Sequence, residues 1–327
     1  MGGIKEFLLK SAGFTAIVVI AGLMIEGYLD NTNFPELDEL RKSIQNNTQI
    51  IYFGDSTMRW TGLNDTDTRP IGDMLRNILE NGSLSVISNN AYHLGIYEEF
   101  SKYICESEKK PQLVIFPINL RSFSPEWDTR PQYQFKDEIK QIKSKDNVLE
   151  NFWNRFSRVF GGQAEGEDEI KWKNQIVYYN TIPVGRVIDF NFKMTEKDPD
   201  LQDKIRKKFI YHYLYTINST HRKLLSLGNT IKNYKNCGVN LLVYITPIDY
   251  QSGTEKLPDF KDIVSRNIEA IVQMYKNELE IKDLSFSLSR EHFTYALNPN
   301  EHMDDFGRRY VAVELSDEIK THSLIIS

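Results

Sequence analysis

The stretch QIIYFGDSTMRW, Gln49 to Trp60, sets the reading of the whole chain. Apolar residues Ile50 to Phe53 run straight into Gly54-Asp55-Ser56, and a polar set follows. An unbroken apolar run of this length reads as a strand buried on both faces, as in a parallel sheet. Ser56 then has two readings. It is the first residue of a helix, where serine is a common N-cap, or a nucleophile displayed on a tight turn. The triplet supports both, and the rest of the chain has to supply partners.

Similar apolar runs recur at LSVIS (84–88), LVIFPI (113–118), VNLLVYITPI (239–248) and, more weakly, LEIKDLS (279–285). Helical patterns separate them, including IGDMLRNILENG, YEEFSKYICESEKK, FKDIVSRNIEAIVQMYKNEL and DFGRRYVAVELSDEIKT. This alternation predicts a three-layer, doubly wound α/β domain on a parallel five-stranded sheet, spanning residues 49–327. The connection between Asn119 and Val239 is far longer than a simple crossover needs. Its portion 121–200 reads as an insertion or cap after the third strand. Its aromatics Trp127, Tyr133, Phe135, Trp153, Phe156, Phe160, Trp172, Tyr178 and Tyr179 either form its own small core or a stacking surface for sugar rings.

Residues 7–25, FLLKSAGFTAIVVIAGLMI, are interrupted only by Lys10. At ~1.5 Å per residue such a stretch just crosses a ~30 Å hydrocarbon layer. Lys5 and Lys10 precede or open it, and Glu26, Asp30, Glu36 and Asp38 follow it. The positive-inside rule then predicts a single-pass anchor within residues 1–30 and a cytoplasmic N-terminus. A polar linker at 31–48 would lead to an extracytoplasmic domain. A cleaved signal peptide has a similar charge layout, but no small-x-small cleavage site precedes Glu26.

A net charge of -5, with scattered rather than clustered Lys and Arg, argues against a nucleic-acid partner. The two cysteines, Cys105 and Cys237, form no CxxC pair; outside the cytoplasm they either pair or stay as two buried thiols. Glu301, His302, Asp304 and Asp305 are metal-ligand types, but their spacing matches no metal loop, and no Gly-rich phosphate loop occurs. Neither a metal nor a cofactor is expected.

In open α/β sheets, sites form beyond the carboxyl ends of the strands. Those ends carry Ser56 after the first strand, Gly95 after the second and Asn119 with Arg121 after the third. His292 and His302 follow the last. A serine that attacks an acyl carbonyl, a histidine that takes its proton and N–H donors for the oxyanion would use such a set. Gly95 would offer a main-chain N–H, Asn119 a side-chain amide and Ser56 its own N–H. Arg59, His93 and Arg121 are candidate substrate contacts, and His292 is an alternative base.

FGDST, NAYHLG (90–95), PIN (117–119) and EHMDDFGRRYVAVEL (301–315) resemble, in order, the four blocks of the SGNH/GDSL hydrolase superfamily. The resemblance covers residues ~48–120 and ~238–320 and leaves the insertion unmatched. It implies Ser56 as nucleophile, Gly95 and Asn119 as oxyanion donors and His302 as general base. Two positions depart from the family. The third block reads Pro117-Ile118-Asn119-Leu120 instead of Gly-x-Asn-Asp, and Pro299 stands where an Asp usually orients the imidazole. Asp55, Asn298, Asn300 and Glu301 are the nearby residues for a supporting role.

An anchored SGNH-like domain is similar to the partner proteins of membrane-bound O-acyltransferases, as in alginate acetylation and the D-alanylation of lipoteichoic acid. The resemblance implies a serine-dependent O-acyl or O-acetyl transferase or esterase acting on a cell-envelope glycan beside an integral membrane O-acyltransferase. The alternative is a catalytically weak module that binds glycan or scaffolds that partner.

Overall fold

A computed structural model describes residues 10, 11, 13–15, 34–80, 83–144, 164–179, 182–186, 201–294, 301–322 and 324. In chain order the strands are β1 (Ile50–Gly54), β2 (Leu84–Ser88), β3 (Leu113–Ile118), β4 (Ile176–Tyr179), β5 (Ile182–Arg186), β6 (Asn240–Ile245) and β7 (Ile281–Asp283). Five of them form one sheet in the order β2-β1-β3-β6-β7, all parallel. Ile50 pairs with both Leu84 and Leu113, and Leu113 pairs with Asn240. β1 and β3 are buried along their whole length, which is why they read as unbroken apolar runs.

The two faces of the sheet are filled separately, because successive side chains of a strand point opposite ways. Ile51 and Phe53 face one core, which takes Leu37 and Leu40 of α1 (Pro35–Gln45). Ile50 and Tyr52 face the other, with Ile71, Met74 and Leu75 of α2 (Ile71–Ile78). The first face is completed by Phe100 and Ile104 of α3 (Leu94–Glu106) and by later helices described below. Both layers are therefore covered, as the alternation of strands and helices predicts.

After β3 come α4 (Pro125–Thr129), α5 (Lys136–Ser144), α6 (Ala164–Lys173) and α7 (Leu201–Tyr213). β4 and β5 lie between α6 and α7 as an antiparallel hairpin that the sequence pattern does not announce. Among the described residues of the insertion, Trp127, Phe135 and Ile142 belong to the same buried cluster as Phe53 and Phe116. Trp172 is buried and donates from Nε1 to the Thr129 hydroxyl, whereas Tyr178 is exposed. Trp153, Phe156 and Phe160 lie outside the described residues.

The chain then returns through α8 (Arg222–Cys237), β6, α9 (Tyr250–Lys256), α10 (Phe260–Tyr275), β7 and α11 (Asp305–Thr321). Leu224 and Leu227 of α8 and Val264 and Ile271 of α10 complete the first face; Val311 and Leu315 of α11 close the second. Among the described residues no helix is long and apolar enough to cross a membrane. Most of the 7–25 stretch lies outside them, so the expected anchor is not part of the described structure.

Cys105, near the end of α3, and Cys237, at the end of α8, form a disulfide across 132 residues of sequence. Closing so long a loop restricts the unfolded chain strongly, by about 3–5 kcal/mol in the chain-entropy account. A Cys105→Ser/Cys237→Ser double variant is expected to lose that much stability. Guanidinium unfolding is the measurement, with an m-value that rises as the released unfolded chain expands, and an equally stable variant would show that the bridge is incidental.

Candidate active site

β1 delivers Gly54 to the carboxyl edge of the sheet, and the chain turns at once. A Cβ on Gly54 would fall 1.5 Å from the Met58 Sδ, so the buried Met58 side chain packs into the space that glycine leaves at the strand end. Asp55 caps the short 3-10 turn Ser56–Met58, its Oδ1 accepting the Thr57 N–H at 2.8 Å. The capping duty falls to Asp55, and the Ser56 hydroxyl is left to do something else.

β3 lies beside β1 and delivers Asn119. The Asn119 Oδ1 accepts the Arg121 N–H at 3.0 Å, and its Nδ2 donates to Asp55 Oδ2 at 2.9 Å. These bonds orient the amide and use one of its two N–H groups. β1 and β3 flank the place where strand order reverses, which is where crevices open in doubly wound sheets.

His302 comes from the segment ahead of α11. Phe293 and Met303 bridge in antiparallel fashion, and the Thr294 N–H donates to the His302 carbonyl at 2.9 Å. That frame sets His302 Nε2 3.0 Å from Ser56 Oγ. The distance is within direct proton-transfer reach, about 2.6–3.2 Å. Ser56 donates and Nε2 accepts when the neutral ring carries its proton on Nδ1. Burial, reinforced by the nearby Arg121 guanidinium, pushes the imidazole down to about 3, so it is neutral at pH 7. The Trp60 indole stacks on it, with ring centroids 5.0 Å apart and planes 13° from parallel.

One buried cation joins the two halves of the dyad. Arg308 of α11 is fully buried and ion-paired to Asp65 at 2.7 Å. Its Nη1 also donates to the Trp60 and Met303 carbonyls at 3.0 Å each, its Nε to Arg69 O and its Nη2 to Asp67 O. The loop after the serine and the segment that carries the histidine are thus bonded to the same side chain. Asp305 adds to this joint by accepting from Thr66 and Asp67.

Other expected residues occupy different roles. Gly95 lies in the first turn of α3, and its N–H donates to His93 Nδ1 at 3.0 Å. Its N–H is therefore used inside the helix cap and is not a free oxyanion donor, which corrects the motif-based expectation. His93 is buried and joins that cap to the insertion through Nε2 and the Tyr133 carbonyl at 2.8 Å. Burial pushes it down to about 3, and a buried structural pin is not a substrate contact. Arg121 is ion-paired to the fully buried Glu301 at 3.4 Å and lies 5.0 Å over the Trp127 ring. Burial opposes its charge most strongly, but Glu301 together with Tyr213, Asp55 and Glu126 outweighs that and holds it protonated. The other Glu301 oxygen accepts from the Tyr213 hydroxyl. Arg121 and Glu301 therefore brace the insertion against the histidine segment.

Arg59 is exposed and donates to Asn90 Oδ1 at 3.1 Å, at the mouth of the site. His292 pairs with Asp304 Oδ2 at 3.1 Å, and it is His302 that meets the serine. Asn298, Pro299 and Asn300 lie outside the described residues. Two contributors escaped the sequence reading: Trp60 and Arg308. Nothing in the spacing of Trp60 or Arg308 marks them, because their roles exist only once distant loops meet.

No family model and no curated protein matches the chain. Among solved structures it is similar to a protein of Bacteroides fragilis NCTC 9343 provisionally named an acylhydrolase, at 9% identity and a TM-score of 0.36. That likeness covers 88% of this chain and 97% of the other. It is also similar to a carbohydrate acetylesterase family member from Sinorhizobium meliloti, at 11% identity and a TM-score of 0.34, covering 84% and 98%.

Two outcomes follow from the geometry. Arg308→Met leaves Asp65 buried without its cation and is expected to destabilise the fold by about 3–5 kcal/mol in urea unfolding. A loss under about 1 kcal/mol would mean the joint is dispensable. The second concerns pH. A histidine held below its unfolded value contributes stability that is complete above about pH 6.5 and is lost as pH falls through that value toward the folded one. The same depression keeps His302 unprotonated in mild acid. The acid limb of a kcat/KM profile should therefore lie below pH 5; a limb at 6.5 would show a solvated imidazole.

Proposed function

We propose that the protein is a serine-dependent O-acyl or O-acetyl esterase or transferase that acts on a cell-envelope glycan. The observation that carries this reading is the 3.0 Å contact between Ser56 Oγ and His302 Nε2 at the carboxyl edge of a parallel sheet. In the reaction, Ser56 Oγ attacks the acyl carbonyl carbon while Nε2 takes the hydroxyl proton. Charge grows on the carbonyl oxygen, where the Ser56 main-chain N–H and the remaining Asn119 amide N–H are the donors on this chain. The tetrahedral intermediate collapses, and the imidazolium gives its proton to the departing alkoxide. An acyl-Ser56 ester remains. A water or a glycan hydroxyl then repeats the steps in reverse, with His302 as base, and the acceptor decides between hydrolysis and transfer.

The envelope setting rests on two further supports. A disulfide is the state expected in an oxidising compartment, and the 7–25 stretch has the length and flanking charges of an anchor. An anchor would hold Ser56 near a membrane-borne acyl donor and raise its effective concentration. The partner in this reading is an integral membrane O-acyltransferase.

Ser56→Ala and His302→Ala are each expected to lower the hydrolysis of p-nitrophenyl acetate at least about 10³-fold, with unchanged unfolding midpoints. Cells that carry Ser56→Ala should also lose O-acyl groups from the envelope glycan, measured by release in mild base. Wild-type rates and wild-type glycan in the Ser56→Ala strain would instead favour a binding or scaffolding module.

A further inference from the structure

We propose that the carboxyl edge of the sheet lies against the lipid bilayer, with Leu63 and Phe306 set into the headgroup boundary and the Ser56–His302 site opening beside them. The proposal rests on the anchor in the reading above and adds which surface of the domain meets the lipid.

The first support is the place where the chain enters the domain. α1 leads directly into β1 and runs back along the sheet against it. Its last turn lies at the amino edge, where the Gln45 carbonyl accepts from Lys109 Nζ at 3.0 Å, just ahead of β3. The 11 residues of α1, at ~1.5 Å each, carry its other end to the carboxyl edge. There Phe34 stacks on Phe100 of α3, with ring centroids 6.1 Å apart. Glu36 lies close enough to Arg59 for their charges to interact, and Arg59 reaches the Ser88 carbonyl and Asn90 Oδ1 at the end of β2.

Only residues 26–33 separate Phe34 from the apolar stretch 7–25. Even fully extended, at ~3.3–3.6 Å per residue, they reach no further than ~30 Å. A link this short, attached at the carboxyl edge, keeps that edge toward the bilayer. Turning the amino edge to the lipid would use more than half of the reach, ~17 Å, to cross one strand length.

The second support is what the carboxyl edge presents. Leu63 is 102% exposed, Phe306 56% and Trp60 41%. They lie on the loop 60–69 and in the first turn of α11, and these two segments are tied to each other. Asp305 Oδ2 accepts from the Thr66 and Asp67 N–H groups, and Arg308 bonds the carbonyls of Trp60, Asp67 and Arg69. A Cβ on Gly62 would fall 3.0 Å from Thr294 Cγ2, and the Thr294 N–H holds the His302 carbonyl. Leu63 therefore stands next to the frame of the histidine. Phe306 keeps a ring face on His292, 4.1 Å between centroids, and is otherwise open. Apolar side chains fixed in water beside a site mark a contact surface. Leucine and aromatic side chains suit the boundary between headgroups and acyl chains. The charges beside them are matched locally: Asp65 pairs with Arg308, and Asp67 with Arg69 and Arg309. Such a surface needs no anionic lipid, so zwitterionic phosphatidylcholine is the probe.

The test reconstitutes the full chain in phosphatidylcholine vesicles. Cys105 and Cys237 are bonded to each other, so a single introduced thiol takes a nitroxide label. Labels at Leu63→Cys and Phe306→Cys are expected to collide with oxygen more than with a water-soluble nickel chelate, about 5–10 Å below the phosphates. A label at Lys110→Cys, exposed at the amino edge, should show the reverse. In a Leu63→Asp/Phe306→Asp variant, a label at Asn64→Cys should pass from lipid to water. Hydrolysis of p-nitrophenyl acetate by that variant should stay within about two-fold of its parent, since neither side chain touches the reacting groups.

Water-like collision rates at Leu63 and Phe306, in protein that floats with the vesicles, would overturn the proposal and leave the anchor standing. Full chain that fails to float would remove the anchor, and the proposal with it. Spin–spin broadening that disappears on dilution with unlabelled protein would put a second copy on this edge. A large fall in ester hydrolysis in the double variant would make the rim a substrate wall. Either result overturns the proposal. The Ser56→Ala assay decides the esterase reading independently, because the labels report position and not turnover.

Discussion

A single buried guanidinium carries more of this site than any residue that does the chemistry. Arg308 uses all three nitrogens of its planar fork on one carboxylate and four carbonyls, drawn from residues 60 to 69 and from Met303. A lysine could not reproduce this, since a point charge with three rotatable donors has neither the plane nor the reach. The carbonyls explain why the charge is tolerated in a dry interior: each stabilises the cation without adding a second ion to desolvate. What results is a fixed distance between two loops that are 246 residues apart in sequence yet share a proton.

The parts of the molecule differ in how openly the sequence states them. The five core strands are legible because burial on both faces demands runs such as IIYF and LVIFPI, which no solvent-facing segment would carry. α11 runs from Asp305 to Thr321, the bounds that its pattern suggests, because Asp304 is a strong local cap for the Gly307 N–H. The serine and the asparagine are legible because each stands at a strand end, and the histidine because it stands just ahead of α11. Gly95 misleads for a related reason: a glycine near a strand end suggests close main-chain approach, but His93 turns it into a helix cap. Arg308 and Trp60 are silent in the sequence. An arginine in an amphipathic helix and a tryptophan in a loop have ordinary surface readings, and only tertiary contact gives them another.

The insertion is joined to the site through charges and aromatic rings more than through the sheet. Glu126 and Arg130 pair at 2.6 Å within α4 and the turn that follows it, and Arg130 also reaches Glu169 of α6 at 2.6 Å. Arg121 lies between Trp127 on the insertion side and Glu301 on the histidine side. Buried pairs of this kind contribute little net stability, because desolvation consumes most of their attraction. They contribute specificity, since a misplaced segment would leave an unpaired charge in the interior.

That distinction bears on how His302 stays a base. The imidazole is neutral first because it is desolvated, and second because the Arg121 cation opposes a second positive charge beside it. Glu301 tempers that cation, and Tyr213 holds Glu301 through its other oxygen. If the carboxylate faced the imidazole directly, it would raise the imidazole pKa and favour the imidazolium in the resting state. Set one residue before the histidine and turned toward Arg121 and Tyr213, it does the reverse: it keeps a charged arginine buried beside a ring that must wait unprotonated. Charge balance beside the ring is thus assigned to Glu301.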